Sequence, residues 1–204
     1  MLKKSLLIIL VLAPPIALAV VNHMNHFPRR FAVVEDGALF RSGFPTGTQI
    51  RNLAKSQKIK TVVSLTGEED RPREAELQTA VDDLKLRHYR FAMRGDGTGD
   101  LATLDMAADA LAEKKDWPIL FHCAAGQQRT STTLGAYWIK HKNMTCQDAL
   151  AKLESEYGLS RSDDAQIVEQ LKKYTKHVGA QMGTPPASSA ATSKTTPSAN
   201  KGAD

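Results

Sequence analysis

The stretch His122-Cys123-Ala124-Ala125-Gly126-Gln127-Gln128-Arg129-Thr130 sets a thiol and a guanidinium six positions apart, with a glycine three residues after the thiol. It follows the compact apolar run Trp117 to Cys123 and precedes a helical pattern, so it reads as a loop joining a strand end to a helix N-terminus. With Gly126 in its middle, such a loop turns successive backbone N–H groups inward and adds the positive end of the helix dipole. The backbone of Ala124, Ala125, Gly126, Gln127 and Gln128 then forms an anion cradle about the size of a phosphate. The same field favours a thiolate, which makes Cys123 the candidate nucleophile. The planar fork of Arg129 can hold two phosphoryl oxygens at once, which a lysine does less well. Thr130 offers a hydroxyl to the sulfur, and Gln127 or Gln128 could orient an attacking water. His122 precedes the nucleophile on the strand and points to the other face, so it supports the loop from behind rather than acting as a base. The chemistry this arrangement serves is phosphoryl transfer to sulfur.

The elements needed to hold that loop are readable around it. Leu39 to Gly43 reads as a strand running into a turn, with Thr46 or Thr48 capping a helix through Ser56. Lys60 to Leu65 is a β-branched strand, Pro72 opens a helix to Leu84, and Arg87 to Ala92 alternates as another strand. Leu101, Leu104, Ala108 and Leu111 share a helical face in 101–115, and the strand Trp117 to Cys123 is entered through Pro118. Helices follow over Arg129 to Lys142, after the Thr145-x-x-Asp148 cap with Leu150, Leu153 and Tyr157 aligned, and finally around Ile167, Leu171 and Tyr174. Strands alternating with amphipathic helices predict an α/β fold: a central, mainly parallel sheet flanked by helices, with the catalytic loop at a strand's carboxyl end.

At 204 residues, 42% hydrophobic and 24% charged, the chain suits a single globular domain with a full core. The net charge of +5 is spread among acidic neighbours, which gives no support to a nucleic-acid partner. Lys3 and Lys4, the apolar stretch Leu6 to Val21 and the small-x-small site Ala17-Leu18-Ala19 predict a signal peptide or membrane anchor over 1–21. The domain is expected over 28–176, outside the cytoplasm: periplasmic, or tethered to the inner membrane by an N-terminal anchor. Residues 177–204, rich in Ala, Ser, Thr and Pro, are expected to form a disordered tail. Cys123 and Cys146 lack metal-binding spacing and make no disulfide framework; Cys146 reads as a small residue in a helix's first turn.

The His-Cys, five-residue gap and Arg-Thr pattern, with Gly126 three after Cys123, resembles the signature of the cysteine-based protein tyrosine phosphatase superfamily. The chain looks most like the atypical dual-specificity phosphatases, including bacterial exported ones. The Leu-Phe-Arg-Ser-Gly-Phe-Pro-Thr segment and the Val-Val-Ser-Leu strand resemble that group too, and the likeness spans roughly Phe31 to Tyr174. It implies a two-step mechanism through a cysteinyl-phosphate, with no cofactor and no metal ion.

Such a mechanism needs a general acid for the leaving oxygen. Asp96, in the glycine-rich loop Met93 to Asp100, is the candidate, because the resembling enzymes carry their acid in a loop at this place in the order of elements. Asp100 is the alternate, with an equal claim to be a helix N-cap. The Trp-Pro-Asp triplet of the larger tyrosine phosphatases is absent. Arg41 and Glu68-Glu69-Asp70-Arg71 either line the pocket or belong to an ordinary solvated surface.

The expected substrate is a protein carrying phosphotyrosine, with phosphoserine or phosphothreonine as further targets. The alternative is an inositol phosphate, inositol pyrophosphate or phosphoinositide, which the neutral Ala124, Ala125, Gln127 and Gln128 disfavour, since the resembling enzymes of that type tend to carry lysines there. A non-catalytic phosphate-binding module and sulfur transfer of the rhodanese type rank lower, because nucleophile, arginine and a candidate acid are all present at phosphatase spacing.

Overall fold

A computed structural model describes residues 26–67 and 72–183 of the 204. The expected leader, the Glu68-Glu69-Asp70-Arg71 patch and the tail beyond 183 lie outside the described residues. Among the described residues no helix is long and apolar enough to cross a membrane.

Five strands form one sheet: β1 (Ala32–Glu35), β2 (Leu39–Ser42), β3 (Thr61–Ser64), β4 (Arg87–Arg90) and β5 (Ile119–His122), in the order β1-β2-β5-β3-β4. β2, β5, β3 and β4 run parallel, and β1 pairs antiparallel on the edge of β2. The strand β1 was not expected from the sequence. Its residues are only partly buried, so it lacks the continuous apolar run that marks a strand covered on both faces. β5 shows that run: all four of its residues are buried, as its central place requires.

Successive side chains alternate between the two faces. Phe40, Val62 and Leu120 pack with Ile50 and Leu53 of α1 (Gly47–Ser56) and Leu77 and Val81 of α2 (Pro72–Asp83). Leu39, Val63, Ile119 and Phe121 pack on the opposite side against α3 (Leu101–Ala112), α4 (Gln128–His141), α5 (Cys146–Tyr157) and α6 (Ala165–Gly183). Each fully buried Leu, Ile or Phe in these layers stabilises the fold by about 1.5–3 kcal/mol. Thr46 caps α1 in a reciprocal box with Gln49, and Thr145 caps α5 by accepting from the Asp148 N–H.

Two expected boundaries are corrected. The helix over 101–115 ends at Ala112 and is followed by a separate 3-10 turn at Lys114–Asp116, whose Asp116 is buried. The last helix runs to Gly183, past the expected tail boundary at 177, because Val178 extends the Ile167-Leu171-Tyr174 stripe and is itself buried.

Candidate active site

The site rests on β5. In register, Ser42 of β2 and Ser64 of β3 flank His122. The His122 ring is fully buried, its Nε2 lies 2.8 Å from Ser64 Oγ, and the same hydroxyl lies 2.8 Å from His88 Nε2. Phe44 meets the ring edge-on, with centroids 5.1 Å apart. Burial first, and the neighbouring His88 second, push the His122 pKa down to about 3. The imidazole is therefore neutral at working pH, a packed and hydrogen-bonded support behind the loop.

Cys123 is only 2% exposed, and the Gly126 N–H donates to its sulfur at 3.2 Å. The loop closes so tightly that Gly126 must be glycine. Its φ is +71°, and a Cβ there would lie 2.4 Å from Gly43 N and 2.6 Å from the Ser42 carbonyl carbon. The residue preceding α4, Gln127, makes no side-chain cap, so the first turn of the helix presents its N–H groups to a ligand rather than to a capping side chain. Gln127 and Gln128 are half-buried at the loop's exit.

Arg129 is partly buried; its Nη1 reaches only the Met93 carbonyl, at 3.5 Å, and its Nε is buried without a partner among the described residues. A buried cationic N–H left open in this way is costly unless an anion fills it. Thr130 is placed differently from expectation. Its hydroxyl donates to the Gln127 carbonyl at 3.0 Å and accepts from Arg41 Nη2 at 2.8 Å, so it acts on the loop's shape and on Arg41, while the Gly126 N–H takes the place at the sulfur.

Arg41 is likewise corrected. It does not line the pocket: it is 2% exposed, behind the loop, because alternation along β2 puts it on the same face as the buried Leu39. Its Nη2 also donates to Gly126 O at 3.0 Å and Ser131 Oγ at 3.2 Å, and its guanidinium lies 4.3 Å from the Tyr157 ring centroid. Burial lowers its pKa to about 10, opposed by the charges of Tyr157 and Cys123, so it stays cationic at neutral pH.

The loop that carries the candidate acid packs directly on α4. A Cβ on Gly97 would lie 2.8 Å from Thr132 Oγ1 and 3.0 Å from the Gln128 carbonyl carbon, and its φ is +83°. Asp96 is exposed, with Oδ1 accepting from Thr98 N at 3.0 Å and Thr98 Oγ1 at 2.7 Å. Those two bonds hold its carboxyl below the usual range. Asp100 caps α3, accepting from Thr103 N at 2.8 Å, which is the structural role the sequence allowed it. Gln170 of α6 donates to Gly99 O at 2.9 Å and so ties the last helix to the acid loop. That contact joins positions 71 apart and leaves no local mark in the sequence, whereas the buried face of Arg41 was readable from strand alternation.

Comparison with known proteins agrees with this geometry. The profile of the tyrosine phosphatase family matches residues 27–170. Inositol diphosphatase DSP3 of Arabidopsis thaliana is 30% identical over 149 residues, 70% of either chain. Among solved structures, PTPMT1 superposes with a TM-score of 0.62 at 19% identity, covering 74% of this chain and 98% of its own. The core catalytic domain of the PP-IP phosphatase Siw14 from S. cerevisiae gives 0.58 at 22%, covering 76% and 94%. TpbA of P. aeruginosa gives 0.55 at 21%, covering 73% and 96%.

Proposed function

The chain belongs to the tyrosine phosphatase family and is a cysteine-type phosphatase; from this premise we propose that it hydrolyses phosphotyrosine in proteins, with phosphoserine and phosphothreonine as further substrates, through a cysteinyl-phosphate on Cys123. The observation that carries the chemistry is the buried Nε of Arg129, without a partner among the described residues, six positions after a thiol that already accepts a backbone N–H.

In the first step the Cys123 thiolate attacks phosphorus; the S–P bond forms as the P–O bond to the leaving group breaks, and Asp96 gives that oxygen its proton. In the second, water attacks the cysteinyl-phosphate, Asp96 takes the water's proton, and inorganic phosphate leaves a free thiolate. Arg129 and the loop N–H groups hold the phosphoryl oxygens throughout. Both bonds from Thr98 go to Asp96 Oδ1, which leaves Oδ2 to carry the proton and give it to the leaving oxygen.

The protein substrate is supported by the neutral side chains between Cys123 and Arg129. The second reading, an inositol diphosphate, is supported by the curated Arabidopsis relative that bears that name. One experiment separates them. The full chain is assayed with a reductant present on para-nitrophenyl phosphate, a phosphotyrosyl peptide and an inositol diphosphate, as wild type, Cys123→Ser and Asp96→Asn. Turnover of the peptide at the higher kcat/KM, abolished in Cys123→Ser and strongly reduced in Asp96→Asn, is the expected result; a higher kcat/KM for the inositol diphosphate would transfer the assignment.

A further inference from the structure

Beside the catalytic loop, and outside it, lies a cavity of about 600 Å³. It sits on the carboxyl-end edge of the parallel strands, bordered by the start of α1 and the start of α2. Its floor is aromatic, from Phe27, Phe31 and Phe44, and its rim carries Arg29, Arg30 and Arg73.

The cavity is braced to the loop. Arg30 Nη1 donates to Ala125 O at 2.9 Å, Phe44 N donates to Ala124 O at 3.1 Å, and Gly43 N donates to Arg29 O at 2.7 Å. Gln49 Nε2 holds the Phe27 carbonyl at 3.1 Å, and the Arg73 guanidinium lies 4.9 Å from the Phe44 ring centroid while donating to the Phe44 carbonyl. None of the described residues lining the cavity is acidic, and none of its three arginines forms an ion pair with a described residue. Three guanidinium groups without an ion pair among the described residues, set above aromatic rings, suit an anion that carries apolar bulk.

We propose that this cavity is a substrate subsite for an acidic residue with an apolar neighbour, in the peptide that flanks the phosphotyrosine. The proposal rests on the phosphotyrosine reading above. Arg30 touches Ala125, two positions after the nucleophile, and an extended chain advances roughly 3.3–3.6 Å per residue. The acidic residue therefore falls close to the phosphotyrosine along the peptide. The charge match acts mainly on binding, through KM, since the cavity does not touch the reacting atoms.

The test uses the full chain and three phosphotyrosyl peptides that differ only at the flanking positions, with Glu-Phe, Gln-Phe or Lys-Phe placed on both sides. The expected order of kcat/KM is Glu above Gln above Lys, with about tenfold between the extremes at low salt, carried by KM and shrinking as salt rises. In the double variant Arg29→Glu, Arg73→Glu the order inverts. Equal kcat/KM for the three peptides, or an order that the double variant leaves unchanged, overturns the subsite. A second arm separates its failure from that of the phosphotyrosine reading: unphosphorylated Glu-Phe and Lys-Phe peptides compete with para-nitrophenyl phosphate. Inhibition by the acidic peptide alone supports the subsite even if no phosphopeptide is turned over, and equal inhibition by both peptides, or none by either, overturns it.

Discussion

Arg41 Nη2 donates to Thr130 Oγ1 at 2.8 Å, and the same nitrogen reaches Gly126 O at 3.0 Å. A cation buried behind the loop thus holds both the glycine that bonds the Cys123 sulfur and the hydroxyl that follows Arg129. Burial lowers the Arg41 pKa only to about 10, and the Cys123 charge works against that lowering.

Replacing Arg41 by Met removes both the charge and the bonds to Gly126 O and Thr130 Oγ1, so the loop loses its hold and kcat/KM should fall. A charge-assisted bond is worth about 1.5–3 kcal/mol, which corresponds to roughly 10- to 100-fold in activity near neutrality. Arg41→Lys keeps the charge without the fork and should recover only part of the rate. A Met variant that is folded and keeps the wild-type kcat/KM would remove Arg41 from this role.

Gly126→Ala meets a different obstacle. The added Cβ would lie 2.4 Å from Gly43 N, which is backbone and cannot swing away, and the left-handed φ adds about 1–2 kcal/mol of strain. Activity on para-nitrophenyl phosphate should fall by at least two orders of magnitude, and the urea midpoint should drop. Gly158→Ala serves as the comparison: its φ is similar, at +67°, but nothing lies within 4 Å of its Cβ. It should therefore lose a little stability and no activity.

These two cases mark what was legible in the sequence. The loop from Cys123 to Thr130, the central strand and the alternating helices followed from apolar runs, turn residues and caps, because each is encoded within a few neighbouring positions. The edge strand Ala32–Glu35 was not readable, since its half-buried residues carry no clear pattern. The direction of the Thr130 hydroxyl was not readable either, because its partner Arg41 is 89 positions away. The glycine-rich loop that carries the candidate acid Asp96 lies against α4, and its anchoring by Gln170 depends on where α6 packs, which no local signal encodes.

Gln170→Ala should expose the consequence of that anchoring. The Gly99 carbonyl loses its donor while the chemistry at Cys123 is untouched. A less well positioned Asp96 should lower kcat severalfold for a substrate whose leaving group needs a proton, such as a phosphotyrosyl peptide. A substrate with a good leaving group, such as para-nitrophenyl phosphate, should be affected much less. Equal losses on both substrates would indicate general destabilisation instead, and the urea midpoint measured alongside would identify it.

Thr98 is the first cause of the lowered Asp96 pKa. A general acid works only while protonated, so activity declines as pH rises through its pKa. The two bonds from Thr98 hold the Asp96 carboxyl below its usual range, and Thr98→Ala removes the hydroxyl bond at 2.7 Å. The Asp96 pKa should then rise, and the alkaline limb of kcat/KM should shift to higher pH. In the Asp96→Asn background, Thr98→Ala should shift nothing.

Stability should depend on pH through His122. Its folded pKa is depressed to about 3, against about 6.5 for an unfolded histidine. Between these values the unfolded chain binds a proton that the folded one refuses, so the protein is most stable above about pH 6.5 and loses stability as pH falls, by at most about 1.4 kcal/mol per unit for one proton. Urea unfolding at pH 7.5, 6.0 and 5.0 measures that slope in a window above the range where most carboxylates titrate. His122→Gln can keep a hydrogen bond to Ser64 and has no proton to gain, so it should be less stable than wild type at pH 7.5 but flatter across the window. An unchanged slope in that variant would assign the acid sensitivity to other groups.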